Sequence, residues 1–399
     1  MPATAAKPIE ERHAVPRDQF NDYTEDAAVL RREFLADKAG TDLSHVGQYS
    51  FEPALVRGNI ENFIGVAQVP IGVAGPLKIN GEHAKGDFYV PLATTEGALV
   101  ASYNRGMRFL SACGGVKTTV VKESMQRAPV FSFADALQAR EFANWLQHRF
   151  FDIKREADAT SRVGRLINID QFIVGPLCYL RFNYTTGDAA GQNMASKATY
   201  AACEWIRASY PQDCEYFLTG NVDTDKKHSH INVMMTRGRR VVAEVVIKRE
   251  FMQKFLHIDS IDLVRMREVQ STGSFLSGSS ANCAHAANGL AALFIATGQD
   301  AANIAESHAA ITYTRLLPNQ DIYWSITLPS LIVATYGGGT GLATQKQCLD
   351  LLGCYGHGKA QKFAEICAAV VLAGETSLVS AIVHGDWVTA HEQLGRNRP

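Results

Sequence analysis

The chain has 399 residues, 46% hydrophobic and 20% charged, with a formal net charge of −1. That length and composition fit a globular protein of two or three lobes around a large core. The near-zero charge excludes a basic field for nucleic acid or an anionic bilayer, so neither is an expected partner, and an anionic ligand must be met by local lysines and arginines.

Eight cysteines (113, 178, 203, 214, 283, 348, 354 and 367) are scattered without a CxxC pair or metal-type spacing. They read as reduced core residues of a cytoplasmic protein. The opening stretch MPATAAKPIEERHAVPRDQF carries no apolar signal segment. The most apolar run, Ile366–Val383, contains Glu375 and reads as a buried helix rather than a membrane span.

Residues 1–58 read as a helical leader, with Val29, Leu30, Phe34 and Leu35 at helical intervals and Gly40 as the stop. Residues 59–77 form a glycine- and proline-punctuated loop, followed by a short strand, DFYVPLA. The run TTEGALVASYNRGMRFL predicts a helix capped by Thr94 or Thr95, with Glu96 in its first turn. There Glu96 serves the helix dipole; proton donation would require desolvation to raise its pKa.

From about 115 to 217 the pattern is β-β-α-β-β-α, compatible with a small ferredoxin-like unit. Its second pair of strands is separated by Gly175-Pro176, and a glycine-rich turn enters its last helix. Thr219–Asn232, TGNVDTDKKHSHIN, then sets Lys226 and Lys227 beside Asp223 and Asp225. Alone it reads as a solvated charged turn. A lysine fixed in such a loop can also stabilise an oxyanion, with neighbouring carboxylates holding its charge.

A strand VVAEVVI, a polar helix over REFMQKFLHIDSIDLVRMREV and a long small-residue helix over SGSSANCAHAANGLAALFIATGQD follow. Asp300 closes the last of these; alone it reads as an exposed polar helix end, whereas buried there it would oppose the helix dipole and need a cation such as Lys226. The run DIYWSITLPSLIVATY reads as strands. GGGTGLATQKQCLDLLG gives an open glycine loop entering a helix, suited to close approach of an anion or planar ring.

Several motifs fail. There is no strict GxGxxG. GCYGHGKA, residues 353–360, has phosphate-loop spacing, but Ala360 stands where a hydroxyl is needed. His228 and His230 lack a third metal ligand at sensible spacing, so no metal is expected.

The ordered blocks ENFIGVAQVPIGVAGPL, PLATTEGALVASYNRG, RAPVF, TSRVGRL, TGDAAGQNMASK, TGNVDTDKKHSHIN, CAHAANGLAALFIATGQDAAN, GGGTGLATQKQCL and AGETSLVSAI resemble the catalytic portion of 3-hydroxy-3-methylglutaryl-coenzyme A reductases of the biosynthetic class. The resemblance runs from about Val15 to the C-terminus. It implies an α+β fold: a helical N-terminal segment (1–58), a large substrate domain with a long central helix (59–127 and 228–399), an inserted ferredoxin-like NADP-binding domain (128–217) and a connecting catalytic loop (218–227). It implies reduction of the thioester HMG-CoA to mevalonate and free coenzyme A by two NADPH per turnover.

The resemblance assigns Lys226 as the oxyanion lysine, Asp300 as its partner, Glu96 as proton donor and His391 as the acid that protonates the departing thiolate. Arg127, Thr219, Asn221, Asp225, Lys227 and Asn288 fall at hydroxymethylglutaryl positions. Ser102, Asn104, Arg105 and His285 fall on the coenzyme A side. Ser161 and Arg162 match the 2′-phosphate pair. Asp188, Gly191, Gln192, Asn193 and Met194 match the nicotinamide loop, with Gly337 and Gly338 nearby. The family builds its site between two subunits, so self-association as a dimer or tetramer is implied. This chain departs from the usual pattern at His228-Ser229-His230, at Tyr103 and in SGSSANCAHAAN, so a different acyl group, or NADH in the oxidative direction, stays open at this point. A non-catalytic binding homologue is the further alternative.

Overall fold

The computed structural model describes residues 14–279 and 281–384. Helix α1 (Glu25–Ala39) opens where the Thr24 side chain accepts the N–H of Ala27 and stops at left-handed Gly40. Its apolar spacing is not its buried face: Ala27, Ala28 and Arg31 are buried, whereas Leu30 is 52% exposed. The Arg31 guanidinium fastens the helix instead, donating to the carbonyls of Pro16, Asp22 and Phe63 and to the Asp22 carboxylate.

Strands β1 (Ile71–Asn80) and β2 (Lys85–Ala93) form a separate antiparallel hairpin. The expected loop over 59–77 therefore ends in a strand, whose register shift between Ala74 and Leu77 absorbs Gly75 and Pro76 as a bulge. After α2 (Leu99–Ala112) come β3 (Lys117–Arg127), β4 (Val130–Ser132), α3 (Ala136–His148), α4 (Phe150–Asp158), β5 (Arg165–Val174), β6 (Leu177–Thr185), α5 (Gln192–Ser209) and β7 (Glu215–Phe217). The single helix expected before β5 is two, broken at Arg149.

The second half runs α6 (His230–Met235), β8 (Gly238–Ile247), α7 (Arg249–Phe251), α8 (Ser260–Leu276), α9 (Ala286–Thr297), α10 (Ile304–Ser307), β9 (Ile311–Leu316), β10 (Ile322–Leu331), α11 (Ala343–Leu351) and α12 (Ala360–His384). A π turn over Met252–Leu256 and left-handed His257 break the expected polar helix between α7 and α8. The small-residue helix is also shorter than expected, because α9 begins only at Ala286. The long central helix is α12. Its Ala360–Val383 stretch is long and apolar enough to cross a bilayer, yet 83% of its apolar window is buried inside the fold.

The larger sheet has eight strands in the order β7-β4-β6-β3-β8-β10-β9, with β5 on the other side of β6. The antiparallel order β7-β4-β6-β5, with helices following β4 and β6, is that of a ferredoxin-like unit. Strand β3 belongs to both halves: Lys117–Ser124 pair with β8, and Met125–Arg127 pair with β6. One apolar core surrounds α12, α9, β8 and β10, and a second lies between β4–β6 and α3–α5. Helices α2 and α12 touch backbone to backbone, since a Cβ on Gly106 would stand 1.9 Å from the Ala373 carbonyl oxygen.

Candidate active site at the two ends of one helix

The loop after β7 returns to the start of the ferredoxin-like unit, where Gly220 N–H donates to the Ala128 carbonyl at 2.7 Å. Three non-glycine residues in this loop are left-handed: Asn221 (φ 67°), Thr224 (φ 54°) and Lys226 (φ 55°). Each such residue costs about 1 kcal/mol or more, and persists only where its surroundings over-determine it. Here Arg127 donates to Asp223 at 2.8 Å, Arg237 to Asp225 at 2.7 Å, and the Lys226 N–H to Glu306 at 2.6 Å. Lys227 Nζ turns back onto the Asp225 carbonyl at 3.0 Å, while Thr219 and Asn221 are exposed.

Lys226 Nζ stands 3.0 Å from Asp300 Oδ2, both side chains about half exposed (45% and 42%). The pair is the one expected, but its local setting is not. Gly298 ends α9, and Asp300 caps the next 3₁₀ turn, Ala301–Asn303, by accepting the Ala302 N–H at 3.0 Å. Asp300 therefore opens a turn just beyond α9 rather than closing the helix.

Sequence reasoning missed Arg237 and Glu306. Both side chains are fully buried, with Arg237 Nε 2.9 Å from Glu306 Oε1. Burial pushes the Glu306 carboxyl up to about 7, although Arg237 and the Lys226 amide pull it down. The only sequence signal was a glutamate in the small apolar run AANIAES, and its partner lies 69 positions away.

The start of α5 meets this loop. Gln192 Nε2 donates to Asp225 Oδ1 at 3.1 Å and to Asn303 Oδ1 at 2.9 Å. Left-handed Gly191 precedes the helix, where a Cβ would stand 2.1 Å from Thr186 Cγ2. Ser161 donates to Met194 Sδ at 3.0 Å, and Arg162 and Asn193 are exposed. Gly337 and Gly338 are also exposed, with open space on the side where a Cβ would stand. The adjacent Gly339 packs on Gly298, so this loop closes on the same end of α9 as Asp300.

Asp188 has a definite structural task. Its carboxylate accepts the N–H groups of Gly358, Lys359 and Ala360 at 2.7, 3.0 and 3.1 Å, capping α12. Burial pushes this carboxyl up, but the three N–H groups prevail and hold it below the usual range. The same capping removes the phosphate-loop reading of GCYGHGKA, because the N–H groups a phosphate would need are already engaged.

At the other end of α9 lies a cleft of about 790 Å³, within the range of small-ligand sites. Glu96, Ser102, Arg105, His285 and Asn288 all border it. Glu96 is not in the first turn of α2: its N–H donates to Thr94 Oγ1 at 3.0 Å, and left-handed Ala98 precedes the helix without a side-chain cap. Its carboxylate therefore lies in a loop, accepting from Asn288 Nδ2 at 3.3 Å.

Buried Glu375 of α12 orders the opposite wall. It accepts the N–H groups of Ala284 and His285 at 2.8 and 2.7 Å and lies 3.2 Å from His285 Nδ1. Burial pushes this carboxyl up, but the His285 contacts prevail and keep it below the usual range. Tyr103 stacks on His285 with centroids 5.5 Å apart, and Ser102 and Arg105 both reach Ser377 Oγ at 3.0 Å. Asn104 is engaged elsewhere, accepting the Gly75 N–H at 3.0 Å. His391 lies outside the described residues. Within one chain, the rise of α9 from Asn288 to Thr297, about 14 Å, separates the Glu96 cleft from the Lys226–Asp300 pair.

Among the described residues, Glu82, His83 and Glu365 could by spacing hold a metal ion. Glu365 is already committed, accepting the backbone N–H groups of Glu82, His83 and Ala84 at 3.2, 2.9 and 2.6 Å.

The hydroxymethylglutaryl-coenzyme A reductase family model matches residues 27–396. The chain belongs to the HMG-CoA reductase family. It is 44% identical to 3-hydroxy-3-methylglutaryl-coenzyme A reductase of Methanocaldococcus jannaschii, with 93% of each chain covered. It is 46% identical to that of Aeropyrum pernix, over 93% of this chain and 90% of that one. HMG-CoA reductases are oxidoreductases, and the chain is an enzyme of that family. The fold also matches 3-hydroxy-3-methylglutaryl-coenzyme A reductase of Streptococcus pneumoniae with a TM-score of 0.68 at 19% identity, covering 88% of this chain and 96% of that one. A class II structure from the same organism, bound to NADPH, matches with the same TM-score and identity, covering 88% and 86%.

Proposed function

We propose that this protein reduces HMG-CoA to mevalonate and free coenzyme A, using two NADPH per turnover. The observation that carries the reading is the Lys226–Asp300 pair at 3.0 Å, in a strained and heavily braced loop that touches the start of α5. Family membership supplies the substrate class. An ammonium held there polarises the thioester carbonyl and stabilises the oxygen that becomes anionic. Arg127, Thr219, Asn221, Asp225, Lys227 and Asn288 would receive the hydroxymethylglutaryl group. Asp223 and Asp225 keep Arg127 oriented toward that end. Ser102, Asn104, Arg105 and His285 would form the coenzyme A side.

NADPH supplies hydride. Features of this chain fit it: exposed Arg162 beside Ser161 for the 2′-phosphate, and bare backbone at Gly337 and Gly338 in the loop that closes on Gly298. Ser161, Arg162, Asp188, Gly191, Gln192, Asn193 and Met194 belong to that reading, which makes 128–217 the cofactor domain, 59–127 with 228–399 the substrate domain and 218–227 the linking loop. Glu96 would give a proton to the second-stage oxygen, and His391 one to the thiolate sulfur. No metal takes part.

The 14 Å between the two ends of α9 supports a site completed by a second copy, the Glu96 cleft of one chain facing Lys226 of another. The ordered sequence blocks are what support assigning the chain to the biosynthetic class. Eight free cysteines agree with a cytoplasmic location. The test is a steady-state assay with HMG-CoA and each reduced nicotinamide cofactor. Two NADPH consumed per thiol released is the expected result; preference for NADH, or no turnover with retained coenzyme A binding, contradicts the reading.

A further inference from the structure

We propose that buried Glu306 is a positioning residue for Lys226, fixing the lysine's backbone in the left-handed conformation from which its ammonium meets Asp300. The proposal rests on the reading of Lys226 as the oxyanion lysine. The stretch from Asp300 to Glu306 grips Lys226 at two points. Asp300 takes the ammonium at 3.0 Å, and Glu306 takes the backbone N–H at 2.6 Å. Between them a 3₁₀ turn passes directly into α10, so both contacts come from one short rigid segment.

Lysine has no intrinsic preference for the left-handed region, and its φ of 55° needs an outside restraint. Glu306 Oε1 supplies it while also accepting from Arg237 Nε at 2.9 Å. Arg237 is fully buried and reaches Asp225 Oδ1 at 2.7 Å and the Gln126 carbonyl at 3.0 Å, tying the acceptor to the end of β3. Glu306 is itself fully buried, so it acts through Lys226 rather than on a ligand.

Two substitutions separate reach from charge. Glu306→Gln keeps an acceptor at the same reach and removes the charge; Glu306 Oε2 has no hydrogen-bond partner among the described residues, so an amide there forfeits no bond. Arg237 then still has Asp225 and the Gln126 carbonyl. Glu306→Asp keeps the charge opposite Arg237 but is one methylene too short to serve the Lys226 N–H.

With HMG-CoA and NADPH, Glu306→Gln is expected to hold kcat within about twofold. Glu306→Asp is expected to lose about 10²-fold in kcat with KM nearly unchanged, the scale of a 1 Å misplacement. Amide exchange over residues 224–227 should quicken in the Asp variant and not in the Gln variant. Wild-type kcat in Glu306→Asp, or equal loss in both variants, overturns the proposal. If Glu306→Asp does not fold, Glu306→Gln decides alone: retained kcat supports the proposal, and a loss matching Lys226→Ala overturns it. Lys226→Ala run in parallel separates the two levels. Turnover in that variant defeats the oxyanion reading itself, whereas an inactive Lys226→Ala beside an active Glu306→Asp defeats only the positioning role.

Discussion

Replacing Asp300 by Asn separates the chemical role of its pair with Lys226 from any structural one. Both side chains are more than two-fifths exposed (45% and 42%), so solvent screens the pair. Exposed ion pairs contribute about 0.2–1 kcal/mol to stability. Asn also caps the Ala301–Asn303 turn nearly as well as Asp. The variant should therefore unfold within about 2–4 °C of the wild type. In a closed, water-poor site the same contact is a charge-assisted hydrogen bond, worth roughly 1.5–3 kcal/mol. Its loss should lower kcat roughly 10- to 150-fold. The assay is loss of reduced-nicotinamide absorbance with HMG-CoA, alongside thermal unfolding. Wild-type kcat with unchanged stability would refute the assignment, as would a collapse in stability that accounts for the lost rate.

A Cβ on Gly374 would stand 2.4 Å from Tyr103 Cζ, so Gly374→Ala should cost about 1–3 kcal/mol in urea unfolding, and most of that cost should vanish when the same change is measured against a Tyr103→Ala parent rather than the wild type. Asp188→Ala should cost about 1–2 kcal/mol by uncapping α12; that contribution is present at neutral pH and fades as acid protonates the lowered carboxyl, whereas a change confined to KM for NADPH would mean that Asp188 serves the cofactor alone. For Glu306 the sign is opposite. Its folded pKa rises from 4.5 to about 7, so the folded state holds the proton more tightly and stability falls as pH rises through that window. The stability of Glu306→Gln relative to wild type should rise from about pH 4.5 to 7 and then level off; a flat difference in pH-dependent unfolding counts against it.

Local pattern carried much of the fold. Gly40 stops α1, Gly175 turns β5 into β6, and the apolar run of α12 is a buried helix. Where pattern misled, a distant residue had intervened. The residues before Ala286 look helical, yet Glu375, 90 positions on, takes the N–H of His285 and sets the start of α9. Glu96 looks like a first-turn carboxylate, but left-handed Ala98 starts the helix later. The spacing also brought Lys226 to Asp300 for the wrong local reason, a helix C-terminus where the structure has a capped turn. Arg237 and Glu306 escaped because a buried ion pair has no period and no motif; only three-dimensional packing reveals it.

Subunit complementation tests the central claim most directly. Lys226→Ala and Glu96→Ala should each be inactive and folded. Mixed and allowed to exchange subunits, they should regain NADPH-dependent turnover of HMG-CoA, because one interface in the hybrid then carries both intact groups. A mixture that exchanges subunits yet stays inactive, or full activity in either variant alone, would contradict a site that joins the lysine of one chain to the glutamate of another.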